Sequence, residues 1–362
     1  MNSHKNRETI IITGAGGFVG INFLEYFTEK GYRVIGLEKN KECIEEIENC
    51  GAEAVICDLL CDDIESIFNE GDYLLHVAGL FRFDVPLKAL YLINAKLVDV
   101  VMRNALKANF KHIIHFSTTA TYGNPNIRPI DENIPQKPND MYGLTKLKGE
   151  QIAWKYYKEY NLPITVIRPT LIYGPRNPFG MGLFIALGSL MIDGLKIKNV
   201  IGIKGASHMH LVHVEDLARA CEFLMKRDDT IGEAYNIADD NPIPLDELMA
   251  NVLSSFKGIK VKNIFPFSKN LIKRITKLAK TKAFDGINKI LQKSWESLGE
   301  RGNFDGKKII MHLSPEWMEY LHADFKFSNK KLRDLGFEFK YPHPKEGVIQ
   351  NILWYRQNRW MP

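Results

Sequence analysis

Hydrophobic positions change period repeatedly along the first half of the chain. Thr9–Thr13 (TIIIT) is an unbroken, largely β-branched apolar run, the profile of a strand covered on both faces. Val19–Lys30 follows, with Phe23, Leu24 and Phe27 on one side of a predicted helix. Tyr32–Leu37, Ala54–Cys57, Tyr73–Val77 and Lys111–Ser117 read as further strands, with a long helix over Pro86–Ala108 before the last. Asn139–Asn161 reads as a helix, Pro163–Arg168 as a sixth strand and Ala234–Ala238 as a strand returning to the same sheet. Strands alternating with helices at this spacing predict an α/β fold with a doubly wound parallel sheet.

After Pro175 the pattern changes. Asn177–Met191 is rich in glycine, aromatics and methionine. It reads either as a buried helix of a smaller second domain or as an adaptable apolar wall of a substrate cleft carrying Phe179 and Met181. His208–His213 alternates like a strand and places His208 and His210 on one face, but no third ligand accompanies them and no metal is expected. Lys257–Leu298 interleaves Leu271, Ile275, Phe284, Ile290 and Trp295 with lysines and Arg274. Such a stretch is either a domain helix with a solvated lysine face or a basic amphipathic surface that lies on anionic membrane or closes over an apolar substrate.

Composition narrows the picture. The 362 residues are 45% hydrophobic and 25% charged, enough for one large or two medium domains and a sizeable core. A net charge of +5 is too mild to imply nucleic acid. Met1–Arg7 lacks the apolar core of a signal peptide, and the most apolar stretch, Gly180–Ile192, is too short to span a bilayer. Five cysteines without a C-x-x-C pattern suggest reduced thiols in a cytosolic protein.

The chemistry sits at the ends of the predicted strands. The first strand runs into Gly14-Ala-Gly-Gly17-Phe-Val-Gly20 and then a helix, the context of a dinucleotide fingerprint. Gly14 permits the turn, Gly17 lets backbone approach a pyrophosphate, Gly20 lets helix and strand close up, and the helix N-terminus at Phe18 and Val19 offers amides to phosphate. Glu38 ends the second strand, where a carboxylate accepts hydrogen bonds from ribose hydroxyls and repels a 2′-phosphate; this favours NAD, although the adjacent Lys39 leaves NADP possible. Tyr142 and Lys146 are one helical turn apart, so an ammonium near the phenol would lower its pKa and make it a better proton donor and acceptor.

Thr13–Gly20 (TGAGGFVG), Asp58-Leu59, His76–Gly79 (HVAG), Asn94, Ser117–Gly123 (STTATYG), Tyr142-x-x-x-Lys146 and Arg168–Pro175 (RPTLIYGP) occur in a characteristic order. In these the chain resembles the extended short-chain dehydrogenase/reductases, which include nucleotide-sugar epimerases and dehydratases and hydroxysteroid dehydrogenase-like reductases, the last branch being favoured. The match extends to about residue 250 and again over Asp324–Tyr355.

The resemblance implies a Rossmann-type cofactor domain over residues 1–175 with a return segment at 206–240, and a mostly helical substrate domain from 176–205 and 241–362. It implies that Gly14, Gly17 and Gly20 hold the pyrophosphate and that Asp58 and Leu59 sit by the adenine. Ala78 and Gly79 would line the cleft, and Pro169 and Thr170 would lie near the nicotinamide. Asn94 reads equally as a buried residue bonded to nearby backbone and as an active-site group. Thr118, Tyr142 and Lys146 would form the acid–base set, with Ser117 and Thr119 as competing hydroxyls on the alternate strand face.

Phe81, Thr119, Phe179, Met181 and His210 are the candidate substrate contacts. Sugar-nucleotide members typically carry arginine at the His210 position, and their dehydratases carry Asp-Glu where this chain has Thr119-Ala120. The expectation is therefore a cytoplasmic oxidoreductase acting on a secondary alcohol or ketone of an apolar or amphiphilic small molecule. The alternative is a nucleotide-sugar epimerase that recycles its NAD. By the same resemblance the chain would form a homodimer.

Overall fold

The computed structural model describes residues 7–82, 85–197, 199–256, 259–266, 268, 274, 277, 282–315 and 324–362. The chain divides into two compact units. The first begins with β1 (Thr9–Thr13), α1 (Phe18–Glu29), β2 (Arg33–Glu38), α2 (Ile44–Asn49), β3 (Glu53–Ile56), α3 (Glu65–Phe68) and β4 (Tyr73–His76). It continues through α4 (Leu87–Tyr91), α5 (Leu97–Ala105), β5 (His112–Phe116), α6 (Met141–Tyr160) and β6 (Ile164–Pro169). The chain then enters the second unit with β7 (Leu171–Tyr173), α7 (Met181–Ser189), β8 (Asn199–Lys204), β9 (His208–Met209) and β10 (Leu211–His213). It returns to the first with α8 (Val214–Met225) and β11 (Ala234–Ile237). The second unit resumes with β12 (Ile243–Pro244), α9 (Leu245–Ser254), β13 (Lys260–Pro266) and α10 (Lys282–Gly302). A short α11 (Lys330–Asp334) belongs to the first unit and α12 (Pro344–Gln357) to the second.

The first unit is built on a seven-stranded parallel sheet in the order β11-β6-β5-β4-β1-β2-β3. The strands are apolar because helices cover both faces: Ile10, Ile11 and Ile12 of β1 have no exposure. On one face Phe23 of α1 meets Phe116 of β5 edge-on, with ring centroids 5.7 Å apart. On the other, Val98, Val101 and Met102 of α5 and Ala153 and Tyr156 of α6 pack in one cluster with Ile11, Leu74 and Ile113. The register pairs Thr13 with both Leu37 and His76, so β1, β2 and β4 end level and their loops open on one sheet edge. Parallel sheets bind ligands at that edge.

Two predicted elements differ in detail. The long helix over Pro86–Ala108 is interrupted by a π-helical turn at Leu92–Lys96, between α4 and α5, and Asn94 sits inside it. The histidine-rich strand splits into β9 and β10 at His210. Hydrophobic periodicity reports a helix or a strand but not a local change of hydrogen-bond register.

In the second unit β7 pairs with β10, β9 with β12 and β8 with β13. Its core gathers Tyr173, Met181, Ile185, Leu211, Leu248, Trp295, Ile352 and Tyr355. The basic, apolar stretch 257–298 falls partly outside the described residues, at 257–258 and over most of 267–281. Its described helix, α10, turns Phe284, Trp295 and Leu298 inward and leaves Ile287 and Ile290 exposed. Among the described residues no helix is long and apolar enough to cross a membrane. All five cysteines are free thiols.

Candidate active site

The glycine loop between β1 and α1 is drawn tight against its neighbours. The Gly14 and Ala15 amides donate to the Leu37 carbonyl at 3.0 and 3.1 Å. Gly14 has φ +70°, and a Cβ there would lie 2.8 Å from the Ala78 Cα. A Cβ on Gly20 would lie 2.3 Å from the Gly14 carbonyl oxygen, so only glycine lets α1 start this close to β1. No side chain caps the N-terminus of α1 at Gly17, which leaves the start of the helix, Phe18 and Val19, to an anion.

Glu38 lies beside this loop. Its carboxylate accepts from the Gly16 amide at 2.9 Å, the Lys39 amide at 2.8 Å and the Asn40 amide at 3.0 Å. The acid is thus fixed in place rather than loosely solvated. Lys39, which left NADP open, points its ammonium at Asp58 instead, 2.5 Å away. Leu59, next to Asp58, is buried. A backbone cradle that a Cβ would fill, an uncapped helix start and an anchored acid at the end of β2 together fit a dinucleotide without a 2′-phosphate.

Tyr142 and Lys146 are placed by α6. Asp140 caps this helix by accepting from the Gly143 amide at 2.7 Å. A Cβ on Gly149 would stand 2.1 Å from the Asn94 carbonyl, so α6 lies hard against the π-helical turn. Asn94 is 1% exposed and wholly committed. Its Nδ2 donates to the Leu80 carbonyl at 3.0 Å and to Thr145 Oγ1 at 3.1 Å, and its Oδ1 accepts from the Leu80 amide at 2.7 Å. It clamps the loop after β4 to α6 at Leu80. A Cβ built on Gly79 would be 3.6 Å from both Asn94 Oδ1 and Lys146 Nζ. Ala78 is tied to the end of β1, its amide donating to Thr13 Oγ1 at 3.2 Å.

The three hydroxyls after β5 diverge. Ser117 donates to Glu150 at 2.5 Å, and Thr119 donates to the Pro169 carbonyl at 3.1 Å. Thr118 stands near enough to the Tyr142 phenol to draw its pKa down, and accepts from the Ala120 amide at 3.2 Å. Thr118 is therefore the hydroxyl that meets the phenol. Phe81 packs edge-on against the Tyr142 ring, with centroids 4.8 Å apart and planes at 77°. Pro169 and Thr170 close the end of β6 beside β11, and the Thr170 amide donates to the Ile237 carbonyl at 3.0 Å.

One electrostatic expectation needs correction. Burial pushes the Tyr142 phenol up, Thr118 is the influence that draws it down, and Asp140 adds to the rise. Lys146 is not among these influences, and its ammonium donates to the Phe116 carbonyl. Burial pulls Lys146 itself down to about 8, against a rise from the charge of Glu150.

Sequence reasoning passed over the polar cluster behind this surface. Glu150 has no exposure, yet it accepts from Ser117, from Gln136 at 3.0 Å, from Trp154 at 3.2 Å and from Arg168 Nε at 3.2 Å. Arg168 also donates to Tyr122 at 2.6 Å, and Tyr122 donates to Asn236 at 2.9 Å. The available signal was spacing, since Glu150 follows Lys146 by four residues as Lys146 follows Tyr142.

Three substrate candidates lie in the second unit. Met181 is 2% exposed within its core and Phe179 is half-buried. His210 uses both ring nitrogens: Nδ1 accepts from the Phe327 amide at 2.9 Å, and Nε2 lies 2.9 Å from the Asp239 carbonyl. Among the described residues no three His, Cys, Asp or Glu side chains converge as a metal site would need.

Comparison with known proteins agrees with this arrangement. The model of the NAD dependent epimerase/dehydratase family matches residues 10–238. Human dTDP-D-glucose 4,6-dehydratase is 22% identical over 369 residues, covering 96% of this chain and 90% of the relative. A putative UDP-glucose 4-epimerase of Methanocaldococcus jannaschii is 29% identical over 227 residues, 58% of this chain and 71% of the relative. The crystal structure of UDP-glucuronic acid 4-epimerase from Bacillus cereus, in complex with UDP-glucuronic acid and NAD, superposes with a TM-score of 0.70. It does so at 17% identity, over 96% of this chain and 99% of that one. With a family match over most of its length, a fingerprint loop that fits a dinucleotide and an acid suited to NAD, this chain belongs to the NAD dependent epimerase/dehydratase family and has NAD as its cofactor.

Proposed function

We propose that the protein is an NAD-dependent oxidoreductase that interconverts a secondary alcohol and its ketone on an apolar or amphiphilic molecule. The observation that carries this reading is the placing of the Tyr142 phenol beside Thr118 and edge-on to the Phe81 ring, on the helix that also carries the buried Lys146. Gly14, Gly17, Phe18, Val19 and Gly20 would hold the pyrophosphate and Glu38 the ribose hydroxyls. Asp58 and Leu59 would flank the adenine, and Ala78, Gly79, Pro169 and Thr170 would line the cleft toward the nicotinamide. Asn94 and Ser117 would serve the same site by fixing its walls.

When bound, NAD supplies the hydride acceptor or donor. The chain's own residues handle the proton. In oxidation Tyr142 takes the proton of the substrate hydroxyl while Thr118 holds that oxygen; in reduction Tyr142 returns a proton to it. Lys146 presents a positive charge at the floor of the site, where it favours the phenolate once substrate and cofactor exclude water.

Two observations bear on the substrate. The Thr119 hydroxyl is spent on Pro169 and Ala120 has no acid, so this chain lacks the pair that family dehydratases use there. His210 is buried with both nitrogens engaged, which leaves it a poor partner for a diphosphate. A second reading, epimerisation of a nucleotide sugar with internally recycled NAD, is favoured by the named relatives. Purified protein with NAD, offered hydroxysteroids, long-chain hydroxy acids and nucleotide sugars, is expected to accumulate NADH absorbance with a lipophilic alcohol. Conversion of a nucleotide sugar without net NADH would overturn the first reading in favour of the second.

Fixing of Glu38 by three amides supports a preference for NAD over NADP. Glu38→Gln removes the charge that repels a 2′-phosphate, and is expected to narrow the ratio of the NADP and NAD dissociation constants by about tenfold. An unchanged ratio in titrations of both cofactors would remove Glu38 from that role. Exposed Leu87, Tyr91 and Leu92, and Met141 and Leu144 on α6, support a homodimer through these helices.

A further inference from the structure

Three consecutive residues at the end of β5 are laced to three residues spaced one turn apart on α6. Phe116 accepts from Lys146, Ser117 donates to Glu150 at 2.5 Å, and Thr118 stands beside Tyr142, near enough to draw the phenol's pKa down. Two of these rungs carry the proton-handling groups. The third has no chemistry of its own, yet it is the most heavily bonded. Glu150 is fully buried and takes hydrogen bonds from Ser117, Gln136, Trp154 and Arg168. Through Arg168 it reaches β6 just before Pro169, and through the Arg168–Tyr122 contact it reaches the turn after β5.

We propose that Glu150 is the positioning residue of the acid–base set: held between Ser117 and Arg168, it fixes the end of β5 against α6 so that Thr118 meets Tyr142 and Lys146 keeps its place. This rests on the reading of Thr118, Tyr142 and Lys146 as that set. A slip of strand against helix at Ser117 would separate both other rungs, because the three contacts are contiguous in sequence on one side and on one helix face on the other.

Charge adds a second consequence. Burial would raise the Glu150 carboxyl, but the hydrogen bonds and charge of Arg168, with Ser117 and Gln136, outweigh it and keep it ionised. The groups around the cluster are Arg168 from β6, Tyr122 and Glu132 from the segment between β5 and α6, and Lys146 from α6 itself. Lys146 is also faced by His76 of β4 and His115 of β5, both neutral. Among the described residues, the anion acting on Lys146 is Glu150. Losing it makes Lys146 release its proton at lower pH.

The test is the pH dependence of kcat in Glu150→Gln, in Ser117→Ala and in the doubly neutral Glu150→Gln/Arg168→Met, with the NAD dissociation constant measured alongside. Glu150→Gln is expected to lower kcat about tenfold with NAD affinity nearly unchanged, and to move the alkaline fall of the profile about one unit toward acid. The double variant removes the carboxylate and the guanidinium of this ion pair together, so that neither is left buried without the other, and it is expected to keep the same displacement. Ser117→Ala should lower kcat several-fold without moving the profile. A folded Glu150→Gln or double variant whose kcat and profile coincide with wild type would overturn the proposal. Wild-type turnover in Tyr142→Phe would instead overturn the acid–base reading beneath it.

Discussion

Tyr142→Phe is expected to lower turnover by about two to four orders of magnitude while NAD still binds with near-wild-type affinity. The change removes one oxygen and leaves the ring against Phe81 in place. α6 keeps its Asp140 cap and its close approach to Asn94, since neither involves the phenol. What disappears is the hydroxyl that stands beside Thr118. The raised phenol pKa of the free protein sharpens the expectation. With Lys146 donating to Phe116, the ionised phenol is disfavoured until cofactor and substrate occupy the site. The acidic limb of the pH–rate profile should accordingly lie at lower pH in the ternary complex than the pKa of the free protein would suggest. Stopped-flow turnover together with fluorescence titration of NAD separates these effects. Turnover within a few-fold of wild type would remove Tyr142 from the reaction.

Mild acid is expected to unfold the first unit at a pH well above the carboxylate range. His76 and His115 stack in the sheet with centroids 5.5 Å apart, and His112 lies three residues before His115 on β5. Burial pulls His76 down to about 3 and His112 to about 4, and it pulls His115 well below the usual value, with Lys146 adding to the effect on His76 and His115. These are bases whose folded pKa is depressed. The folded chain keeps them neutral while the unfolded chain takes up protons below about 6.5. Stability is therefore complete above that pH and is lost as pH falls toward the folded values.

Each imidazole costs about 1.4 kcal/mol per pH unit, so the three together remove about 4 kcal/mol by pH 5.5. That is a large part of a typical domain's margin. Glu132, raised by burial, works in the opposite direction and offsets part of one group's share. Urea unfolding between pH 5 and 8 tests this. The slope of stability against pH should fall by about a third in His115→Leu, and an unchanged slope would mean that the imidazole is not buried neutral.

These two expectations differ in how far the chain alone could have supplied them. Tyr142 and Lys146 could be proposed from the chain because proton transfer demands particular residue types at a spacing that a helix makes meaningful. The fingerprint loop was legible for a similar reason: Gly14 and Gly20 leave no room for a side chain, and that exclusion is written directly as glycine. The sheet was legible because burial on both faces imposes unbroken apolar runs such as Thr9–Thr13 and Lys111–Ser117.

The histidines were not legible. A histidine in an apolar run carries no mark of whether its ring nitrogens find water, and only the parallel register that sets His76 beside His115 decides it. Glu150 was hidden in the same way. Most helix acids are solvated, so an isolated glutamate reads as surface until β6 brings Arg168 against it. Nor could the sequence choose among Ser117, Thr118 and Thr119. Alternation divides them between faces, but where each face leads depends on α6 and β6.

The sequence alone thus determined the parallel α/β architecture and the glycine loop, and it singled out the pair proposed to handle the proton, because period, exclusion of side chains and helical spacing are local properties of a chain. Only the tertiary structure decided which hydroxyl meets the phenol, where the Lys146 ammonium goes and which buried charge holds the set in register. Those outcomes are settled by desolvation and by partners far apart in sequence, which no local pattern encodes.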